Sequence, residues 1–472
     1  MTRGSVEDTI REPMAVPTKH EDSPDGLHLL AIGDVHLGTR PARLVGSGAG
    51  VDPTRLTPEA ALSAAVDTAI DGKVDAVLFA GDVVESTNAR FEALRPLEAA
   101  VRRLSEAGIA VLAVVGNHDV EALPRLASRI DGLEILGEGG RWSSRTIEAP
   151  GGAAAVEVIG WSFPARQVRA SPLADLLRHP LPRAQPGAVR IGLLHGDLDA
   201  SGGVYAPFTR EEARRTGLDA WLLGHVHRPS LPRGSARTPP CGYLGSLVGL
   251  DPGEPGPHGP WLVRVSRSGG IALEHLASAP LRWEHIDLRV AEDDTAEDVG
   301  DRLLDRMDAE VRRLAGEGPA PEVLGLRVRL TGSTRHQDAL CRKIDDGAWS
   351  SATRSVGGTF VFIESIRDRL APAVDLEALA SDSDPPALLA RKLLVLDRPG
   401  EDRRRLLEAA RAQLRNVATD SRWSPAGELR DATDPLSDDA LLALLRRSGR
   451  RALAALLAQK TPATRAAKGT AS

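Results

Sequence analysis

A chain of 472 residues exceeds one ordinary domain, so two or three are expected. A net charge of −6 excludes a globally basic nucleic-acid binder, and any phosphate contact must come from local arginines. Two distant cysteines, Cys241 and Cys341, exclude a disulfide framework and a thiolate metal site, which points to a reducing, cytoplasmic setting.

Residues 1–27 mix charge, Pro and Ser without an apolar run, so they read as a flexible leader and not as a signal peptide. No segment approaches the ~20 apolar residues needed to span a bilayer, so no membrane association is expected. Leu27 to Ile32 reads as the first core strand, and Gly33-Asp34-Val35-His36 follows it. The glycine cluster Gly46 to Gly50 lacks the Gly-Lys-Ser/Thr of a phosphate loop and reads as a flexible loop. Thr57-Pro58-Glu59 opens a helix to about Asp71, with Pro at the first helical position. A strand over 75–80 leads to Gly81-Asp82, a helix spans about 88–107, and a strand over 109–115 ends in Gly116-Asn117-His118-Asp119. This β-α-β-α-β order calls for a mainly parallel sheet with right-handed crossovers.

Signals weaken between 120 and 187, apart from a strand at 155–160. A strand over 189–194 ends in His195-Gly196-Asp197, and one over 219–223 ends in Gly224-His225-Val226-His227. Short strands near 241–244, 261–265 and 271–275 close a first domain, 28–280. Residues 281–370 then read as a small α/β domain, with strands at 283–290, 324–330 and 359–366 and helices at 296–315 and 335–346. Residues 371–459 read as helical, with Asp384 capping one helix and Ser437-Asp438-Asp439 the last. A disordered tail is expected from 460 to 472.

Asp34, His36, Asp82, Asn117, His118, His195, His225 and His227 all sit just past the C-terminal ends of apolar strands, which a parallel sheet brings to one edge. Five of the twelve histidines fall here. Imidazole and carboxylate ligands without thiolate suit Mn, Fe, Zn or Ni. Eight side chains are too many for one ion and about right for two, with one carboxylate as the bridge. Two such ions clamp a phosphate and acidify a water between them. No Gly-x-Ser-x-Gly elbow or His-Glu-x-x-His zinc motif is present, so acyl transfer and peptide hydrolysis lack visible machinery.

Asp34-x-His36, Gly81-Asp82, Gly116-Asn117-His118-Asp119, His195 and Gly224-His225-x-His227 resemble, in order and spacing, the five motifs of the calcineurin-like metallophosphoesterase superfamily. The resemblance implies an α/β fold, a β-sandwich flanked by helices, and two divalent metal ions. It implies that Asp34, His36 and His227 hold one ion, Asn117, His195 and His225 the other, and Asp82 bridges them. His118 would face the scissile phosphate, with Asp119 as a possible partner.

Tyr205-Ala206-Pro207-Phe208, Gly217-Leu218-Asp219-Ala220-Trp221, and Tyr243-Leu244-Gly245-Ser246 leading to Glu254-Pro255-Gly256-Pro257-His258-Gly259 resemble the SbcD-type DNA repair exonucleases and their YhaO-like branch. That resemblance implies a manganese-dependent exonuclease and single-strand endonuclease, nucleoid-associated, with a capping domain at 281–370. It implies that the helical region docks onto a separate SMC-like ATPase of the SbcC type, and that the helix at 88–107 could pair two copies. Arg40, Arg43 and Arg90 are the candidate DNA contacts, against the plainer reading of solvated arginines. The same metal site would serve a phosphatase or a small-molecule or cyclic-nucleotide phosphodiesterase, and a non-catalytic scaffold displaying the terminal helices is the third reading.

Overall fold

Alternation along each strand decides what it packs against. In β1 (Leu27–Ile32), Leu27, Leu29 and Ala31 face one core, while Leu30 and Ile32 face another. The structure is a computed structural model describing residues 26–42, 52–85, 90–149, 152, 154–183, 185–200, 202–235, 238–418 and 436–468. The leader up to residue 25, the glycine cluster with Arg43, and residues 469–472 lie outside the described residues.

The strands that follow are β2 (Ala76–Phe79), β3 (Ala110–Ala113), β4 (Leu133–Ile135), β5 (Ser143–Glu148), β6 (Ala155–Trp161), β7 (Val189–His195) and β8 (Ala220–Gly224). After them come β9 (Gly234–Ser235), β10 (Cys241–Tyr243), β11 (Trp261–Val265) and β12 (Ile271–His275). Among the described residues, one sheet runs β4-β3-β2-β1-β11-β12-β9 and a second runs β10-β8-β7-β6-β5. β1, β2, β3 and β4 are mutually parallel, in a register that pairs Ile32 with Phe79 and Phe79 with Ala113. Their C-terminal ends are therefore level. In the second sheet parallel pairing sets His195 opposite Gly224.

The two sheets close on each other through Leu29, Leu78, Leu112, Val158, Ile191, Leu193, Leu222 and Val263. Each fully buried Leu, Val or Ile here contributes roughly 1.5–3 kcal/mol. The outer face of the first sheet is covered by helices Pro58–Asp71 and Arg90–Glu106, which bury Leu62, Val66, Leu97, Val101 and Leu104 against Leu30, Val77 and Val111. Short helices Leu173–Arg178 and Arg210–Arg215 cover the second sheet through Leu173, Leu176 and Ala213. This is the expected α/β sandwich flanked by helices. Thr57 caps the first helix, its Oγ accepting from the Ala60 N–H.

The chain then forms β13 (Leu281–Val290), β14 (Val323–Thr334), β15 (Thr353–Val356) and β16 (Thr359–Pro372), in the sheet order β13-β14-β16-β15. The helix Ala296–Glu317 lies between the first two of these strands in sequence, and Gln337–Asp345 follows the second. The chain divides into two compact units: 1–286 with 304–327 and 350–365, and 287–303 with 328–349 and 366–472. This differs from the expected boundary at 280. Leu281, Trp283, Val323 and Phe362 share a core with Leu247, Val248, Leu262 and Leu276, so the first unit reaches past that point.

Helices Pro385–Asp397, Glu401–Ala418 and Asp438–Lys468 belong to the second unit, and Leu393, Leu396, Leu407, Leu441 and Leu453 form their core. Asp384 caps the first of them, accepting from the Ala387 N–H at 3.0 Å. The last helix runs to Lys468, where a structureless tail from 460 was the expectation. Among the described residues no helix is long and apolar enough to cross a membrane.

Candidate metal centre

Asp34, Asp82 and Asn117 leave level strand ends two to four residues past β1, β2 and β3. The loops that carry them are strained. Asp34, His36, Asp82 and His225 all hold positive φ, at 40°, 53°, 49° and 105°. Each such non-glycine backbone costs of order 1–3 kcal/mol and persists only when its surroundings over-determine it. Two glycines make the approach possible. Gly81 has φ 89°, and a Cβ on Gly116 would collide with the Asp82 carboxylate.

The imidazoles are anchored by one nitrogen each. His195 places Nδ1 3.1 Å from the Ala80 carbonyl, which leaves Nε2 3.3 Å from Asp82 Oδ2 and 3.0 Å from Asn117 Oδ1. His36 sets Nδ1 3.3 Å from Glu85 Oε2, and His227 sets Nδ1 2.6 Å from Glu254 Oε1. With those nitrogens donating, the Nε2 lone pairs of His36 and His227 meet at 3.1 Å, an arrangement that asks for positive charge beside them. His225 is anchored the opposite way: Nε2 lies 3.0 Å from Asp197 Oδ1, and its backbone N–H donates to both Asp34 oxygens at 3.0 and 3.1 Å. Such outer partners fix tautomer and ring direction in metal sites.

Ligand-type atoms of Asp34, His36 and His227 come within 4.8 Å of one another, as do those of Asp34, Asp82 and His195, and those of His36, Glu85 and His118. Asp34 belongs to two of these sets, and Asp82 Oδ2 lies 4.0 Å from His36 Nε2 and 3.3 Å from His195 Nε2. The donor set is carboxylate, amide oxygen and imidazole, which fits Mn, Fe or Zn. Burial opposes charge on His195, yet Asp82 and Asp34 hold its pKa up at about 9. Burial also opposes the charge of Asp82, but His195 and His36 hold its carboxyl below the ordinary range. Burial raises Asp34, with Asp82 adding to the effect and His195 opposing it. Burial, with His195 beside it, pushes His225 down to about 4.

His118 is the open member of the cluster, its side chain 45% exposed. Its backbone N–H donates to Asp82 Oδ1 at 2.9 Å, and its Nδ1 lies 2.9 Å from Glu85 Oε2. Asp119 is not that partner. It is fully buried, with Oδ1 accepting from the Gly116 N–H and Oδ2 from the Val83 N–H, both at 2.7 Å. It ties the Asp82 loop to the Asn117 loop, and burial with Asp82 nearby pushes its carboxyl up to about 7.

Glu85, Asp197 and Glu254 are the site residues that sequence reasoning left unassigned. Glu85 stands three after Asp82 and Asp197 two after His195, so proximity to each motif was the available signal. Glu254, 27 positions from His227, opens the Glu254-Pro255-Gly256-Pro257-His258-Gly259 stretch that carries the resemblance, but nothing in that stretch marks it as an anchor for His227. Among the arginines, Arg40 is exposed and outside these clusters, Arg90 opens the helix that follows, and Arg43 lies outside the described residues.

Comparison with known proteins agrees with this geometry. The profile of the calcineurin-like phosphoesterases matches residues 27–229, and that of the metallophosphoesterase YhaO middle domain matches 283–371. The uncharacterized metallophosphoesterase YhaO of Bacillus subtilis is 30% identical over 272 residues, 55% of this chain and 64% of that protein. The DNA double-strand break repair protein Mre11 of Aeropyrum pernix is 27% identical over 298 residues, 60% of this chain and 69% of that one. The match to this chain therefore spans about two thirds of each relative. A solved dimetal phosphatase from Danio rerio overlays 52% of this chain and 96% of its own at 13% identity and TM-score 0.34, too loose a likeness to argue from.

Proposed function

We propose, from the premise that residues 27–229 are a calcineurin-like metallophosphoesterase domain, that this chain is a two-metal phosphodiesterase that cuts DNA. The observation that carries the chemistry is the meeting of Asp34, His36 and His227 on one side and Asp34, Asp82 and His195 on the other. Asp34, His36 and His227 would hold one divalent ion, and His195, with Asn117 and His225, the second, with Asp82 within reach of both sets. Manganese fits the donors. Ions held there would supply a clamp on the phosphate oxygens and would acidify water at neutral pH.

The remaining work falls to side chains. His118 commits Nδ1 to Glu85, which leaves Nε2 as the nitrogen that would give a proton to the departing sugar oxygen. Glu85 holds that ring in place and carries the compensating charge. The hydrogen bond from the His118 N–H to Asp82 fixes the distance between proton donor and metal site.

DNA as the ester rests on the likeness to the Mre11 repair proteins and on the residues after the metal motifs. An SMC-like ATPase chain is the proposed partner for the terminal helices, where Leu388 and Leu444 are exposed. The test is incubation with Mn²⁺ and, in parallel, labelled duplex, single-stranded DNA and a nitrophenyl phosphodiester. Cleavage of DNA is expected, and activity confined to the small ester rejects the nuclease reading.

A further inference from the structure

His227 sets Nδ1 against Glu254 and Nε2 toward His36 in the cluster, and Glu254 lies on a loop with no regular structure between β10 and β11. The loop itself is therefore what has to be held. Glu254 spends its second oxygen on the Leu250 N–H at 2.9 Å, and its carbonyl accepts from His258 Nε2 at 3.0 Å. His258, almost wholly buried, sets Nδ1 3.0 Å from Ser246 Oγ.

Three further bonds reach this loop from the first residues of β13. The Trp283 indole N–H donates to the Gly249 carbonyl at 3.1 Å, the Trp283 carbonyl accepts from the Gly256 N–H at 2.9 Å, and His285 Nε2 donates to the Pro252 carbonyl at 2.8 Å. Two of them, at Gly249 and Pro252, fall before Glu254 and one, at Gly256, after it. The Trp283 ring is fully buried, packed edge-on against Phe362 at 5.7 Å and over Gly325, where any Cβ would strike it. A Cβ on Gly249 would sit within 3.2 Å of both Trp283 and His258, so the loop and its two anchors are in contact.

We propose that Trp283 and His285 are positioning residues for the metal centre: the start of β13 clamps the 249–256 loop and so aims His227 through Glu254. On this account the strand that opens the segment matched to the YhaO middle domain is a working part of the ligand set. The inference rests on the two-metal reading above.

The test is Mn²⁺ titration of the full chain, followed by electron paramagnetic resonance and calorimetry, without substrate. Wild type should bind two ions. Glu254→Gln sets the scale, an expected 10- to 100-fold weakening at one of them, as for outer-shell partners generally. Trp283→Phe and His285→Phe should weaken the same ion by a smaller factor and leave the other unchanged. Trp142→Phe removes an indole bond to a carbonyl elsewhere, at Pro172, and should lower thermal stability without changing Mn²⁺ affinity. The exposed His285 provides the variant that folds should Trp283→Phe not. Two-ion binding by wild type with unaltered affinities in both β13 variants overturns the positioning role and leaves the two-metal reading standing. A wild type that binds no Mn²⁺ overturns both.

Discussion

Glu85 Oε2 serves two imidazoles at once, His118 at 2.9 Å and His36 at 3.3 Å, and so couples the proton donor to a metal ligand through a single oxygen. That geometry separates two kinds of loss. His118→Gln removes the proton donor but none of the residues assigned to the ions, so kcat should fall about 10²- to 10⁴-fold while Mn²⁺ affinity holds. Glu85→Gln loosens the same ring and should also weaken one ion, because His36 loses its anchor. The double variant should be little slower than His118→Gln alone, since the two residues act as a unit. Steady-state kinetics with saturating Mn²⁺ checks this, and multiplying losses would mean that Glu85 and His118 act independently.

At the scale of elements, the pairing of β11 with β12 sets Trp261 opposite His275, whose ring stacks on the indole at 4.7 Å. Burial, with Arg233 beside it, holds the His275 imidazole down to about 3. A histidine whose folded pKa lies below its unfolded value of about 6.5 is neutral in the fold but takes up a proton when the chain unfolds. Its contribution is complete above pH 6.5 and is lost as pH falls from there toward 3, by at most about 1.4 kcal/mol per pH unit. His275→Phe keeps the stack and removes the titration. The variant's melting temperature should therefore gain on wild type between pH 7 and pH 4.5, and a constant difference across that range would place the neutral imidazole elsewhere. The strands that carry the ligands were legible in the sequence because buried runs such as Val77 to Ala80 stop abruptly at Gly-Asp. β4, three residues long, and β5, with exposed Ser144, Arg145 and Glu148, were not, since neither shows a clean alternation. Helices of six residues, such as Ala122–Ala127, complete too few turns to display a period. Glu254 and Asp197 stand in or beside recognisable stretches, but their roles as anchors were not legible. What they do depends on where the chain returns in space, which no local pattern encodes.

For the whole molecule, the change of character at 281 was visible in the sequence, but the break in packing was not there. Trp283, Val323 and Phe362 lie beyond that point and fill the same core as Leu247 and Leu262. Ending the chain at 280 removes all three and also Leu281, and each large buried side chain lost from a core costs about 2–5 kcal/mol. Their sum is comparable to the 5–15 kcal/mol that holds a whole domain folded. It also deletes the three bonds from Trp283 and His285 to the Glu254 loop. Ending the chain at 373 instead keeps β13 to β16 and removes the terminal helices, whose leucines make a separate core around Leu393, Leu407 and Leu441. The 1–373 chain should therefore unfold cooperatively and bind two Mn²⁺ ions, whereas 1–280 should be collapsed or aggregated and bind them weakly or not at all. Circular dichroism melts and Mn²⁺ titration of the two truncations distinguish these outcomes. A well-folded 1–280 with wild-type affinity would mean that the first domain is complete in itself and that β13 adds nothing to the metal centre.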